Sequence, residues 1–223
     1  MDRATGLIER VLENPGRSDL DNLANELLSE YYRGSDLSSL RNLLHSEDHR
    51  IVACGAWIAS ELGEMGKPLL HEVKRLLGHP SKTVRFWAIE CLQEWAGPSN
   101  PEELAFAISL VGDSDEAVRW KAMGFLALAP RAQLEDALVG FATTGPGSPD
   151  WDELRWVLGP EGTDPAKIID ALEDPSSRRR KFAAAAAFRV AKDNTEPLRR
   201  AASSTDTEIA QFAGDMLKRI SGF

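Results

Sequence analysis

The chain has 223 residues, 43% hydrophobic and 27% charged, with a formal net charge of −9. That balance is apolar enough for a sizeable core and excludes a disordered composition. The longest charge-free apolar run, residues 51–60, falls far short of the roughly 20 residues that span a bilayer. Cys54 and Cys91 lie 37 apart without CxxC spacing, which argues against a disulfide framework or a Cys-based zinc site. The polar opening at Asp2 and Arg3 lacks a secretory leader's pattern, so a cytoplasmic setting is expected.

In chain order, a repeating helix pair becomes regular after residue 36. Leu37, Leu40, Leu43 and Leu44 mark a short first helix, and Ile51-Val52-Ala53-Cys54-Gly55 opens a longer second one. The pair recurs as Leu69, Leu70, Val73, Leu76 and Leu77, followed by Val84-Arg85-Phe86-Trp87-Ala88. It recurs again as Leu104, Ala107, Ile108, Leu110 and Val111, followed by Val118-Arg119-Trp120-Lys121-Ala122. The second-helix openings are spaced 33 and then 34 residues apart. Looser copies follow at Arg179-Arg180-Lys181-Phe182-Ala183 and, 30 residues on, Ile209-Ala210-Gln211-Phe212-Ala213. The 61 residues between Val118 and Arg179 require one degenerate repeat in the gap.

Within residues 81–95, Val84, Trp87, Ala88, Cys91, Leu92 and Trp95 fall at i, i+3, i+4, i+7, i+8 and i+11, a helical spacing. Proline punctuation at Pro68, Pro98, Pro130, Pro160 and Pro165 closes elements, and Ser81, Asp115, Ser176 and Asp206 are N-cap candidates. No hairpin dipeptide separates alternating apolar runs, so strands are not expected. The reading is an all-α chain, one domain over residues 1–223. It is a right-handed α-solenoid of about seven hairpins, near 4–32, 36–65, 67–96, 100–129, 131–158, 164–192 and 195–220.

These repeats resemble HEAT repeats of the short bacterial kind associated with phycobilisome lyases. The likeness is good over 36–129 and 164–220 and weak over 1–32 and 131–158, where Thr143-Thr144-Gly145-Pro146-Gly147-Ser148-Pro149 replaces a compact turn. The resemblance implies a structural ladder between repeats, with an Asp six residues before the motif Arg: Asp113 with Arg119, and Asp174 with Arg180. His79 stands where Asp would precede Arg85, and Ser204 and Ala210 replace both members in the last repeat. A stack of this type curves and presents one concave surface, lined by the second helices.

Charge is unevenly placed. Residues 1–150 carry 14 Lys/Arg against 23 Asp/Glu, whereas residues 151–223 carry 12 of each. Between Arg85 and Arg119 there are seven acids and no base, while Arg178-Arg179-Arg180-Lys181 form a basic run at the start of an alanine-rich helix. Those cations oppose the helix dipole, which is explained either by phosphate contact or by pairing with acids such as Glu173 and Asp174. The acidic middle repeats either steer a basic partner or simply keep the surface solvated.

Candidate anchors on the concave face are Phe86, Glu90, Glu94, Asp115, Glu116, Trp120, Trp151, Asp152 and Trp156. Phe86 and Trp120 share a repeat position and read either as groove anchors or as packing between hairpins. Trp57, Trp87, Trp95, Cys54 and Cys91 read as core. His45, His49, His71 and His79 form no metal-ligand pattern, and no nucleophile elbow, P-loop or dinucleotide fingerprint occurs.

The functional expectation is a non-enzymatic, monomeric module without cofactor or metal. It binds a basic protein in an acidic groove, as an adaptor or as a toxin-inhibiting immunity protein, with no membrane or nucleic-acid role. Two alternatives stand beside it. One is a HEAT-like alkyl-base DNA glycosylase or nucleic-acid binder using Trp151, Asp152 and Trp156 with residues 178–181, which the net charge of −9 disfavours. The other, implied by the resemblance alone, is a chromophore or metallocentre lyase.

Overall fold

The computed structural model describes residues 3–14, 16, 19–144 and 147–222. Gly145 and Pro146, in the middle of the Gly/Pro-rich loop, lie outside the described residues, as does Asp2. Among the described residues there are fourteen α-helices, short 3-10 turns and no strand. No helix among them is long and apolar enough to cross a membrane. The chain divides into two compact units, residues 1–96 and 97–223.

A recurring turn explains why the hairpins repeat. In five of them a side chain two residues before the second helix's N-cap accepts that N-cap's amide hydrogen. The acceptors are Ser46 Oγ (3.2 Å), His79 Nδ1 (3.0 Å), Asp113 Oδ1 (2.8 Å), Asp174 Oδ1 (2.7 Å) and Ser204 Oγ (3.2 Å). The N-cap side chains of Asp48, Asp115, Ser176 and Asp206 then accept first-turn amides, satisfying donors the helix leaves open. Ser81 makes no such side-chain bond.

Where an arginine follows six residues after the turn acceptor, its Nη1 donates to two turn carbonyls. Arg85 reaches the carbonyls of His79 and Pro80 at 2.8 and 3.0 Å. Arg119 reaches Asp113 and Ser114 at 2.9 and 3.0 Å, and Arg180 reaches Asp174 and Pro175 at 2.8 and 3.1 Å. Because the arginine's acceptors here are backbone oxygens, His79 can stand in an aspartate's place.

The first unit is built from three hairpins: α1 (Arg3–Glu13) with α2 (Leu20–Tyr32), α3 (Leu40–Leu44) with α4 (His49–Glu61), and α5 (Leu70–Lys74) with α6 (Lys82–Trp95). The second helices pack side by side, α2 on α4 and α4 on α6. Leu23, Leu27, Leu40, Leu43, Ile58, Leu69, Leu77, Ile89 and Leu92 are fully buried between the layers. Trp95 closes this core, its indole Nε1 donating to the Gly63 carbonyl at 2.7 Å.

The second unit holds α7 (Pro101–Ser109), α8 (Glu116–Leu128), α9 (Arg131–Thr144), α10 (Pro149–Leu158), α11 (Pro165–Leu172), α12 (Ser177–Val190), α13 (Glu196–Ala202) and α14 (Thr207–Ser221). Proline opens α7, α10 and α11 at a position where no amide hydrogen is needed. The degenerate repeat leaves the regular stack here. Helix α9 lies against α7, approaching so closely that a Cβ at Gly140 would sit 1.9 Å from the Pro101 carbonyl oxygen. Helix α12 meanwhile packs against α8 as well as α10. Its residues 183–187 are all alanine and all fully buried, and small side chains let two helix axes come close.

Candidate functional site

The second helices of the first unit carry polar and aromatic residues at a helical spacing of four and then three. On α4 these are Arg50, Cys54 and Trp57, and on α6 Thr83, Trp87 and Glu90. Such spacing puts each set on one face of its helix. With Leu20, Asp21, Ala24 and Asn25 of α2, the residues Arg50, Ala53, Cys54, Trp57, Thr83 and Trp87 line a groove of about 500 Å³. The sequence reading assigns Trp57 and Trp87 to the core, and the structure corrects this: both indoles are half-buried groove walls. Trp87 lies at the edge of the α6 apolar stripe. Trp57 belongs to a helix apolar on nearly every face, where periodicity cannot separate inside from outside. Trp95, also read as core, is buried at 2% exposure.

The electrostatics of the groove are set by two acids and one neutralised cation. Arg50 is held by Asp48, Nε to Oδ1 at 3.2 Å and Nη2 to Oδ2 at 2.8 Å. Hydrogen bonding from Arg50 holds the Asp48 carboxyl down at about 2. Asp21 has no ion-pair partner among the described residues, and its charge is felt in the groove floor. Burial first, and Asp21 second, push the Cys54 thiol up to about 12. Cys91, which like Cys54 is in no disulfide, is buried within the unit, its Sγ donating to the Ala56 carbonyl at 3.9 Å.

Beyond Trp87 the same unit is acidic. Glu94 is exposed, and its carboxyl titrates above the usual range because of partial burial and then the like charges of Glu90, Glu64 and Glu61. Phe86, on the flank of α6, stacks edge-on against Trp87 with centroids 4.9 Å apart. The first unit therefore brings together Phe86, Glu90 and Glu94 on one helix beside the groove.

The remaining expected anchors lie in the second unit, at three separate places. Asp115 caps α8, accepting amides from Ala117 and Val118 at 3.0 and 3.4 Å, and Glu116 follows it exposed. Trp120 packs edge-on against Phe212 of α14 at 6.4 Å, so packing accounts for it. On α10, Asp152 is exposed and Trp151 lies beneath the Arg155 guanidinium at 4.6 Å. Trp156 is only 9% exposed and is covered by the Arg179 guanidinium at 3.9 Å. As a binding anchor Trp156 is thus corrected: its face is already occupied.

The basic run at the start of α12 is used internally. Arg178 pairs with Asp150, Arg179 with Glu153 at 2.5 Å, Arg180 with Asp206 at 2.8 Å, and Lys181 with Glu208 at 3.3 Å. These acids, 20 or more residues away, offset the dipole cost noted in the sequence. His79 is taken by the Ser81 amide, and among the described residues no cluster of His, Cys, Asp or Glu is placed to hold a metal ion.

No family model matches the chain, and no curated protein matches its sequence. Among solved structures, a designed armadillo repeat protein is similar at 16% identity and a TM-score of 0.50, covering 97% of this chain and 99% of that one. The fold is a helical-repeat solenoid. A second designed armadillo repeat protein, solved in complex with a (KR)4 peptide, is similar at 15% identity and a TM-score of 0.47, covering 97% and 98%.

Proposed function

We propose that the chain is a non-enzymatic interaction module that holds a basic segment of a protein partner on the second-helix face of its first unit. The observation that carries this reading is the groove lined by Trp57 and Trp87, with Asp21 unpaired among the described residues. Indole faces attract cationic side chains, the more strongly when partly desolvated. Asp21 at one side, and Glu61, Glu64, Glu90 and Glu94 elsewhere on the unit, add a negative field that steers such a partner and repels an acidic one. The internal pairing of residues 178–181 speaks against a free phosphate-binding surface there.

The reading is tested by titrating a fluorescent Lys/Arg octapeptide and its Glu counterpart against the wild type and Glu90→Lys/Glu94→Lys. The wild type should bind only the basic peptide, and charge reversal should weaken that binding by about tenfold or more, as two close charge pairs are converted to repulsions. Equal binding of both peptides, or no effect of reversal, would refute a basic partner on this face.

A further inference from the structure

A second pocket, of about 520 Å³, lies wholly within the second unit and has the opposite chemistry. Arg131, Arg189 and Lys192 line it, and no carboxylate does. Val157, Leu158, Phe188 and Ile220, the last 42% exposed, give it apolar walls. A net-positive cavity is unexpected in a chain of charge −9.

Arg189 is fixed through one nitrogen. Its Nη1 donates to the carbonyls of Leu126, Ala127 and Ala129 at 3.1, 3.3 and 2.8 Å, closing the C-terminal end of α8. That leaves its Nε and Nη2 without a hydrogen bond among the described residues. Lys192 likewise has no partner among them. Arg131 is tied back, to Glu135 and to the Leu158 carbonyl, each at 2.8 Å.

The contrast within the unit is sharp. Arg119, Arg178, Arg179, Arg180 and Lys181 each meet a carboxylate. Arg189, also drawn in from solvent, does not, and burial together with the nearby Arg131 charge lowers its pKa. A half-buried cation without a counter-charge is costly and is relieved by an anion.

We propose that this pocket binds a small organic carboxylate with an apolar body, its head on Arg189 and Lys192 and its body along Val157, Leu158 and Ile220. The Nε–Nη2 edge of a guanidinium is a planar fork matched to a carboxylate's two oxygens. The apolar walls and modest volume suit a ligand-sized body rather than a polyanion. A free aliphatic acid and the C-terminal carboxylate of a peptide share this chemistry. The proposal does not depend on the groove of the first unit.

The test is methyl-resolved NMR of the full chain titrated with hexanoate, hexanamide, inorganic phosphate, and acetyl-Ala-Leu as free acid and as amide. Hexanoate should shift the Val157, Leu158 and Ile220 methyls saturably, while hexanamide and phosphate leave them in place. Arg189→Lys and Lys192→Ala should each weaken hexanoate binding about tenfold, the loss of one charged hydrogen bond. Tighter binding of the acetyl-Ala-Leu acid than of hexanoate assigns the site to chain ends, and the reverse assigns it to free acids. Shifts as large with hexanamide, or with phosphate alone, or no saturable shift at all, would overturn the proposal. Lys192 is exposed, so Lys192→Ala reads the effect even if Arg189→Lys fails to fold, and unchanged affinity in that variant would also overturn it.

Discussion

Arg119 and Glu208 share a 2.7 Å hydrogen bond from Nε to Oε1 although 89 residues separate them. Glu208 also lies 3.3 Å from Lys181 Nζ, so one carboxylate at the start of α14 joins α8 and α12. The arginine side chain is 20% exposed and the glutamate 16%, so the pair is partly shielded from solvent.

Arg119→Ala should therefore destabilise the chain by about 2–4 kcal/mol, because it removes two turn hydrogen bonds and leaves Glu208 with one cation fewer. Arg119→Lys should fall between, restoring charge but not the grip on both carbonyls. Urea denaturation reads both, and a loss under about 0.5 kcal/mol for the alanine variant would mark the pair as an ordinary surface contact.

Two glycines in the second unit should respond oppositely to alanine. At Gly140 the added methyl meets the Pro101 backbone, which cannot rotate away, so Gly140→Ala should cost at least about 2 kcal/mol. At Gly124, within α8, nothing lies within 4 Å of the added carbon, and Gly124→Ala should stabilise by about 0.5–1 kcal/mol. Thermal unfolding compares the two. Similar shifts in both would contradict the close α7–α9 approach.

The Cys54 thiol, raised from 9.0 to about 12, is protonated throughout the neutral range. The folded state thus binds this proton more tightly than the unfolded state does. Its contribution to stability is complete below pH 9 and is lost as pH rises from 9 toward 12. A disulfide-exchange reagent at pH 8 should leave Cys54 unmodified in the native chain and react once urea unfolds it. Rapid native labelling would show the groove floor to be open.

Glu94 carries a predicted trade between stability and binding. Burial and three like-charged neighbours raise its pKa, so the folded state favours the protonated form and the ionised carboxylate strains the fold at neutral pH. Glu94→Gln should raise the urea midpoint at pH 7, with the gain shrinking as pH falls through the carboxylate range, and should weaken basic-peptide binding. A lowered midpoint would mean that Glu94 is engaged favourably.

Much of the architecture was legible because it is local. The spacing of Val84, Val118 and their copies set the helix pairs, and Asp115, Ser176 and Asp206 cap helices where the turn chemistry placed them. Ser204 looked like a lost ladder position, yet its hydroxyl performs the same turn bond as Asp113, an equivalence that residue type hides.

The partners of Arg178–Lys181 were not legible, since ion pairs across 26 or more residues leave no periodic trace. Nor were the groove walls: an all-apolar stretch such as residues 51–60 gives no moment to separate Trp57 from Ile58. A weak signal for the groove did exist in the spacing of four and three that sets Arg50, Cys54 and Trp57 on one face.

The most direct measurement follows the Trp57 and Trp87 indole amide resonances while the Lys/Arg octapeptide is added. The account predicts that both shift together and saturably, that the Glu octapeptide moves neither, and that Trp57→Ala weakens binding by about tenfold, within the range of a desolvated cation–aromatic contact. Indole resonances that stay fixed while the peptide binds elsewhere would contradict the groove as the binding face.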